Sequence, residues 1–485
     1  MRYLFLSLIS FSLTLSAQKK HADISEIMSM IDSSSHFKSG LFGCTVLDAN
    51  TGEILLERNK DKSFMPASTM KILTTAAMLQ RFGPTHQFKT ELLYEGDLKA
   101  DTLKGNVILK GYGDPGLCSK NLVGQASMDA FLGQLASDLY GRGVRVITGK
   151  IVADASYFGM HPTPPKWQYD DLGLHYGAAP TGLIINENRA SIVLRQQPEG
   201  NYAEVVEAKP EMPYIRIISE VICTKNGEEE DLSVYALPFS STLIVRGKVS
   251  PGFNTFSVNA NVLDVEKFAA YHFKKNIELH GIKVIGGYSS QADMNGYFGP
   301  KTILKTIPSV RLDSLLTRAN HESINLYCEV FLKHLGLTYR GSSRHPEALV
   351  EVTNFWKNRG LDTNGLDIED GSGLSPRNSI SPLQLTKVLQ IIHADNLWAA
   401  GFKKTLPLAG VSGTLKALCV GSCAQGTVNG KSGSMNKVRC YAGYTFGTKS
   451  GKQLIFSVMA NRYNGSGTAV RKLLEKFMIA VSECY

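Results

Sequence analysis

The chain has 485 residues, of which 43% are hydrophobic and 20% are charged, and its formal net charge is +9. This length exceeds that of one ordinary domain and predicts two or three compact units of a globular protein. Lys and Arg residues are spread along the chain without a long basic run, which argues against a nucleic-acid-binding protein. Beyond the N-terminus there is no run of about 20 apolar residues, so we expect no membrane span in the mature protein.

The first residues have the pattern of an export signal. Arg2 precedes the apolar run YLFLSLISFSLTL, which ends at Ser16-Ala17-Gln18. A charged start, a short apolar core and small residues at the exit are typical of a secretory signal. We therefore expect residues 1–17 to be a signal peptide and the mature protein to be periplasmic or otherwise associated with the cell envelope. An uncleaved anchor is the alternative.

The eight cysteines are dispersed along the chain, which permits disulfides in an exported protein. The spacing Cys419-x-x-x-Cys423 predicts a local bridge. No His lies within about 25 residues of this pair, so a zinc site there lacks ligands. We expect neither a metal nor a cofactor.

The N-terminal part of the mature chain predicts a helix followed by a β-hairpin. Residues 22–38 have helical spacing, and the strand-like runs GLFGCTVLD and EILLER flank the turn formers Ala49-Asn50-Thr51-Gly52. A loop then leads to Pro66 and to a second run of apolar residues at helical spacing. This order places the second helix beside a sheet.

The middle of the chain predicts mostly β structure interrupted by two helices. Strand-like segments alternate with Gly-rich and polar turns from about residue 88 onward. The predicted strands are 86–96, 106–111, 144–154, 182–188, 190–196, 214–223, 242–249, 253–259 and 282–287, and the predicted helices are 126–140 and 263–281.

The C-terminal part becomes rich in helices again and ends in two strands and a helix. The predicted helical segments are 310–336, 346–360, 381–396 and 468–482, and the predicted strands are 437–446 and 452–461. An early hairpin and helix combined with late helices and strands indicate one α/β domain that is split by an insertion. We expect the split domain at 18–90 and 297–485, an inserted α+β domain at 91–165 and 255–296, and a nested, mostly β domain at 166–254.

The helix after Pro66 carries a candidate nucleophile. Ser68 and Lys71 are three residues apart, so they share one helix face and the amine can reach the hydroxyl. The first turn of a helix favours developing negative charge, and a serine can be activated in this way without a histidine. The spacing alone does not identify the site, because it recurs at Ser16/Lys19, Ser35/Lys38 and Ser434/Lys437.

Two later motifs offer partners for this pair. Ser323 and Asn325 stand at the head of a predicted helix, where a hydroxyl can relay a proton and an amide can donate to a carbonyl, although both are also ordinary cap residues. In Lys431-Ser432-Gly433-Ser434 the Lys and Ser suit a substrate carboxylate, and the small Gly allows close approach. A hairpin turn is the alternative. The similar Lys449-Ser450-Gly451 lies between two predicted strands and is interpreted as their turn.

In chain order these motifs are Ser-x-x-Lys, Ser-x-Asn and Lys-Ser-Gly. That order resembles the penicillin-recognising serine enzymes. The long interval between the first two motifs resembles one branch, the class C penicillin-binding proteins, which are D-alanyl-D-alanine carboxypeptidases and endopeptidases. Further matching segments are GYGDPGL, DDLGLHYGAAPTGLIINEN, NHESINLYCEVFLKHLG, DGSGLSPRN and GTVNGKSGSM. The resemblance implies an α/β multidomain fold, in which a transpeptidase domain like that of penicillin-binding proteins and β-lactamases is split by a long, mostly β insertion of two small domains.

The resemblance also implies roles for the motif residues. Ser68 would form the acyl-enzyme with Lys71 as its general base, and Ser323, supported by Asn325, would pass a proton to the leaving amine. Lys431 and Ser432 would bind the terminal carboxylate of the peptide, and the N–H groups of Ser68 and Ser434 would form the oxyanion hole. Two positions depart from the family pattern, since Ile324 replaces a more often polar residue and Ser432 replaces the commoner Thr.

The expected substrates are peptidoglycan stem peptides that end in D-Ala-D-Ala, and β-lactam antibiotics are the expected inhibitors. A β-lactamase and a non-catalytic wall-binding homologue are the alternatives. The sequence predicts neither the oligomeric state nor the balance between carboxypeptidase and endopeptidase activity.

Overall fold

The computed structural model describes residues 24–159, 163–225, 231–237, 240–252, 254–294 and 299–485, and the signal predicted at 1–17 lies outside these ranges. The helices within them are α1 Ile24–Asp32, α2 Lys71–Phe82, α3 Met128–Gly141, α4 Tyr169–Leu172, α5 Val265–Leu279, α6 Leu312–His321, α7 Asn325–Arg340, α8 His345–Lys357, α9 Pro382–Ala394, α10 Ala399–Lys404 and α11 Gly467–Cys484. None of these helices combines the length and the apolar character that crossing a membrane requires.

The strands in the same ranges are β1 Leu41–Asp48, β2 Ile54–Arg58, β3 Lys89–Glu95, β4 Asp97–Lys99, β5 Thr102–Lys104, β6 Val107–Gly111, β7 Val146–Ile147, β8 Ile151–Asp154, β9 Arg189–Arg195, β10 Glu204–Lys209, β11 Arg216–Cys223, β12 Asp231–Tyr235, β13 Thr242–Val249, β14 Thr255–Asn261, β15 Lys283–Val284, β16 Tyr288–Ser290, β17 Lys301–Pro308, β18 Asn429–Met435, β19 Val438–Phe446 and β20 Gln453–Asn461.

A five-stranded antiparallel sheet joins the two ends of the chain. Its strand order is β18-β19-β20-β1-β2. The predicted hairpin is confirmed as β1 and β2, and β1 also pairs with β20 along its whole length, from Leu41 opposite Asn461 to Asp48 opposite Leu454. This pairing places the early helix α2 and the late strand β18 in one structural unit.

Both faces of this sheet are covered by helices. In β20, Leu454 and Phe456 pack into the core beside α1 and α11, whereas the intervening Ile455 packs into the core beside α2, α7 and α9. Alternate residues of a strand point to opposite faces, so a strand covered on both sides is apolar along its whole length. This explains why the apolar residues of KQLIFSVMAN stand at consecutive positions, interrupted by Ser457, and do not alternate with polar ones.

The residues from β3 to β17 form four further sheets. Their strand orders are β16-β8-β6-β3-β17, β15-β7-β5-β4, β10-β9-β14 and β11-β13-β12. One apolar core connects them and includes Leu132 of α3, Phe268 of α5, Ile192 of β9 and Val245 of β13. Most apolar residues of this region therefore pack around a core of their own, whereas Leu122, Phe158, Ala178 and Ile184 join the core beside α2 and α7.

Most of the predicted elements are confirmed, but one helix and two strands differ from the prediction. The predicted helical segment 310–336 is divided into α6 and α7, with Ser323 between them at a φ of 59°. The segment 182–188 is not a strand, because Asn186, Glu187 and Asn188 all have positive φ values of 53°, 55° and 49°. Three consecutive left-handed residues turn the chain, although the preceding apolar residues are buried. The segment 144–154 is divided into β7 and β8, which belong to different sheets.

The predicted bridge between Cys419 and Cys423 is wrong, because both are free thiols in the structure. The Cys419 side chain is buried in the apolar core near α11. The Cys423 Sγ instead faces the carbonyl oxygen of Ile479 at 4.0 Å. Both cysteines therefore lie beside α11 without forming a disulfide.

Candidate active site

Ser68 lies in a 3₁₀ turn, Ala67–Met70, that continues directly into α2. The α-helix thus begins at Lys71 and not at Ser68, although the two residues still share one side of the turn. Ala67 has a φ of 47°, a conformation that costs a non-glycine residue about 1–3 kcal/mol and that is concentrated at functional sites. The strained residue directly precedes the candidate nucleophile.

The Lys71 amine is completely buried and makes three hydrogen bonds. Its Nζ donates to Ser68 Oγ at 3.0 Å, to Asn325 Oδ1 at 2.6 Å and to the carbonyl oxygen of Ser372 at 2.7 Å. Burial lowers the pKa of Lys71 below its ordinary value, while nearby Cys328, Asp370 and Glu329 oppose this shift. A lysine in this position is directed at a serine hydroxyl and loses its proton more readily than an exposed lysine.

The second motif meets the first at the start of α7. Ser323 connects α6 to α7 with a φ of 59°, and its Oγ accepts a hydrogen bond from Lys431 Nζ at 2.9 Å. Asn325 is the first residue of α7, and its Nδ2 donates to the carbonyl oxygen of Tyr176 at 2.9 Å. The predicted head-of-helix position is confirmed, and both side chains contact other site residues.

The third motif lies on β18, the edge strand of the central sheet. Lys431 is completely buried, and burial, followed by the nearby charge of Lys71, holds the pKa of Lys431 well below its ordinary value. The hydroxyl of Ser432 donates to Thr414 Oγ1 at 2.8 Å near the surface. The Lys449–Gly451 segment is confirmed as part of the turn between β19 and β20.

Gly433 allows β18 to pack against the turn that carries the candidate nucleophile, Ser68. A Cβ atom at this position would lie 2.4 Å from the carbonyl oxygen of Pro66 and 3.1 Å from the backbone nitrogen of Ser68. A side chain is therefore excluded at position 433. Because β18 is an edge strand, alternate backbone N–H groups, which include our candidates for an oxyanion hole, point away from β19.

The structure thus brings all three predicted motifs together, and it adds residues that the sequence analysis missed. Tyr176 contributes only its backbone carbonyl, which leaves no residue-type signal in a sequence. Thr414 lies in the 3₁₀ turn Gly413–Leu415, a segment that matches no motif. Ser372 belongs to the DGSGLSPRN segment, which matches the family pattern but in which the sequence alone assigns no contact.

Among the described residues, no group of three or more His, Cys, Asp or Glu side chains is arranged to hold a metal ion. The polar groups that meet at Ser68 are hydroxyls, lysine amines, an amide and backbone carbonyls. This set can activate a serine hydroxyl and transfer protons.

A sequence profile of the D-Ala-D-Ala carboxypeptidase 3 (S13) family matches residues 25–481. The chain belongs to this family. The predicted membership of the class C penicillin-binding proteins is thereby confirmed, and so is the predicted enzyme class, a serine-type D-Ala-D-Ala carboxypeptidase. A curated relative, the D-alanyl-D-alanine carboxypeptidase of Actinomadura sp. strain R39, is 27% identical over 437 residues, which cover 87% of this chain and 78% of that protein.

Solved structures confirm the fold of this S13 carboxypeptidase. Penicillin binding protein 4 of Haemophilus influenzae superimposes with a TM-score of 0.79 at 22% identity, covering 94% of this chain and 98% of that one. The same protein in complex with a β-lactam gives a TM-score of 0.74 at 21% identity, with coverages of 94% and 97%. Bd3459, a peptidoglycan endopeptidase of Bdellovibrio bacteriovorus, gives a TM-score of 0.50 at 16% identity, with coverages of 90% and 91%. The predicted α/β multidomain fold of a penicillin-binding protein is confirmed by the first of these matches.

Proposed function

We propose that Ser68 is the nucleophile with which this S13 carboxypeptidase removes the terminal D-Ala from peptidoglycan stem peptides that end in D-Ala-D-Ala. The observation that carries the proposal is the 3.0 Å hydrogen bond between Lys71 Nζ and Ser68 Oγ, made by a buried lysine whose pKa is lowered. Neutral Lys71 accepts the hydroxyl proton while Ser68 Oγ attacks the carbonyl carbon of the penultimate D-Ala.

The tetrahedral intermediate then breaks down to an acyl-enzyme. Its negatively charged oxygen accepts hydrogen bonds from the backbone N–H groups of Ser68 and Ser434, which are our candidates for the oxyanion hole. The C–N bond breaks, and the leaving amine takes a proton through the Ser323 hydroxyl, which lies 2.9 Å from Lys431 Nζ. Water then hydrolyses the ester, so Ser68 recovers its proton and the shortened peptide leaves as a carboxylate.

The carboxylate of the departing D-Ala is the group we assign to β18. Lys431 supplies a positive charge when it is protonated, and the hydroxyls of Ser432 and Thr414 supply donors at the surface end of the strand. A bound carboxylate favours protonation of Lys431, whose pKa is lowered in the empty site. The absence of a side chain at Gly433 lets β18 pack directly against the turn that carries Ser68, so the carboxylate site lies next to this serine.

β-Lactams resemble the substrate at the reacting amide, so we expect them to acylate Ser68. The β-lactam complex of the Haemophilus influenzae protein supports this expectation through its common fold. A second activity, cleavage of D-Ala cross-links between stem peptides, fits the same chemistry, and the fold shared with the Bdellovibrio bacteriovorus endopeptidase supports its inclusion.

The domain boundaries and the location of the protein belong to the same proposal. The sequence predicts a peptidase domain at 18–90 and 297–485, an inserted domain at 91–165 and 255–296 and a nested domain at 166–254. Because β17 pairs with β3 and β14 pairs with β9, we assign β17 to the inserted domain and β14 to the nested domain. The pairing of β1 with β20 supports the split. The export pattern at residues 1–17 supports a periplasmic or envelope location, where peptidoglycan is found.

Defined muropeptides test the proposal. A purified pentapeptide that ends in D-Ala-D-Ala should lose one D-Ala when it is incubated with the wild-type protein, and Ser68→Ala should abolish the release. Cross-linked dimers in a parallel reaction measure the endopeptidase activity. Intact pentapeptide after incubation with folded wild-type protein would overturn the carboxypeptidase assignment, and turnover of a chromogenic cephalosporin would favour a β-lactamase.

A further inference from the structure

The loop 370–378 is organised around a single buried carboxylate. Asp370 Oδ1 accepts hydrogen bonds from the backbone N–H of Gly373 at 2.6 Å and from Asn378 Nδ2 at 2.9 Å. Its Oδ2 accepts from the backbone N–H of Ser375 at 2.6 Å and from Trp167 Nε1 at 2.8 Å. Three of these four donors belong to the loop itself, whereas Trp167 lies 203 residues earlier in the chain, in the insertion.

The same loop contacts the nucleophile and its base through backbone atoms. The carbonyl oxygen of Ser372 accepts the hydrogen bond from Lys71 Nζ at 2.7 Å, and the carbonyl oxygen of Gly371 accepts one from Thr74 Oγ1 at 2.7 Å. On its other side the loop is in close contact with the strained residue before Ser68, since a Cβ atom at Gly373 would lie 1.9 Å from the carbonyl oxygen of Ala67. A displacement of the loop therefore moves both the Lys71 amine and the turn that carries Ser68.

The Asp370 carboxylate needs its four hydrogen-bond donors because it is buried and lies near a second acidic side chain. It is completely buried, and burial, followed by the charge of Glu329, raises the pKa of Asp370 to about 6. Glu329 itself accepts a hydrogen bond from the backbone N–H of Gly371 at 3.2 Å, so a second acidic side chain lies behind the loop. A buried carboxylate that loses one donor is left poorly solvated, and the loop around it has a reason to rearrange.

We propose that Trp167 is a positioning residue: through Asp370, its indole N–H holds the loop 370–378 in the geometry that directs the Lys71 amine at Ser68. The inference rests on the proposed roles of Ser68 and Lys71. It gives the inserted segment a part in the chemistry. Trp167 of that segment donates a hydrogen bond to Asp370, and the loop that contains Asp370 accepts a hydrogen bond from Lys71 through the Ser372 carbonyl.

The conservative change Trp167→Phe removes the N–H and keeps most of the buried aromatic surface. Stopped-flow measurements with a fluorescent penicillin separate the non-covalent affinity from the rate constant of acylation. We expect the affinity to stay within about twofold and the rate constant to fall about tenfold or more, because small displacements of a catalytic group reduce rate more than binding.

Asp370→Asn should also reduce the rate constant of acylation. The double variant should be no slower than Asp370→Asn alone, since both changes act on the same connection between Trp167 and the loop.

Trp356 provides a matched control. Its side chain is fully buried in α8, and its Nε1 has no hydrogen-bond partner among the residues that the structure describes. Trp356→Phe makes the same chemical change without breaking a hydrogen bond, so it should acylate at the wild-type rate when thermal unfolding shows it to be folded. Equal losses in Trp167→Phe and Trp356→Phe, or no loss in Trp167→Phe, would overturn the inference while labelling of the wild type stays intact. Absence of label on the wild-type protein would instead overturn the proposed function together with the inference.

Discussion

The amine of Lys71 donates a hydrogen bond to the side-chain oxygen of Asn325 over 2.6 Å, although 254 residues separate the two in the chain. The inserted segment occupies most of this interval. It also supplies the Tyr176 carbonyl that accepts a hydrogen bond from the other end of the Asn325 amide. The Lys71 amine is therefore held by an amide that is itself held by the backbone of the segment around Tyr176.

The burial of Lys71 leads to a prediction about the pH dependence of acylation. Lys71 acts as a base only when it is neutral, and its folded-state pKa is lowered by burial, so the acylation rate should rise with pH and level off below the ordinary lysine value of about 10.4. The charged and titratable groups nearest to Lys71 are Cys328, Asp370, Glu329 and Lys431. Rates of penicillin acylation measured from neutral to alkaline pH give the midpoint.

Asn325→Asp tests the assignment of that midpoint. A carboxylate at this position stabilises the Lys71 ammonium, so the midpoint should move to higher pH and the rate at neutral pH should fall by about 10²-fold. Asn358→Asp makes the same substitution at an exposed position next to α8 and should leave the profile unchanged. An unchanged midpoint in Asn325→Asp would show that another group controls the rate.

A second prediction concerns the close contact between β18 and the 3₁₀ turn Ala67–Met70, which carries Ser68. Gly433→Ala places a methyl group 2.4 Å from the carbonyl oxygen of Pro66, so either the strand or the turn must shift. A shift of this size should reduce acylation by about 10²-fold or more. Gly141→Ala is the control, since a Cβ atom at this last residue of α3 would meet nothing within 4 Å apart from its chain neighbours and its own helix. Near-normal acylation by Gly433→Ala would mean that the turn tolerates displacement.

A third prediction concerns the proposed carboxylate site. Ser432→Ala removes a hydroxyl that contacts Thr414, and it should reduce kcat/KM for the pentapeptide by about 5–20-fold through the loss of one charge-assisted hydrogen bond. Ser432→Thr keeps the hydroxyl and should retain nearly wild-type activity. If both variants behave alike, the hydroxyl is not the group that binds the carboxylate. Steady-state kinetics with the pentapeptide distinguish these outcomes.

The sequence predicted the parts of the fold and site that depend on residue type. The alternating and apolar patterns identified most strands and helices, and three short motifs located Ser68, Lys71, Ser323, Asn325 and Lys431. The roles that we propose for these residues depend on their side chains, so residue identity leaves a signal in the sequence. The strand predicted at 182–188 was wrong, because its apolar residues belong to a buried turn. The left-handed conformation of Asn186, Glu187 and Asn188 forms this turn, and no hydrophobic periodicity in the sequence indicates it.

Contacts made by backbone atoms could not be predicted in this way. The carbonyl groups of Ser372 and Tyr176 complete the surroundings of Lys71 and Asn325, and any residue type could supply them. The link from Trp167 to Asp370 spans 203 residues and two structural units, so only the assembled fold reveals it. A tryptophan in a segment rich in Pro and Tyr is more simply interpreted as a packing residue.

The identity of the nucleophile is tested most directly by mass spectrometry of the protein after reaction with penicillin. We predict one covalent adduct on the wild-type protein, located by peptide mapping at Ser68, and no adduct on Ser68→Ala. Ser35→Ala, which removes the serine of another Ser-x-x-Lys pair, should react like the wild type. An undiminished adduct on folded Ser68→Ala, or a wild-type adduct that maps to a different residue, would contradict the assignment of Ser68 as the nucleophile.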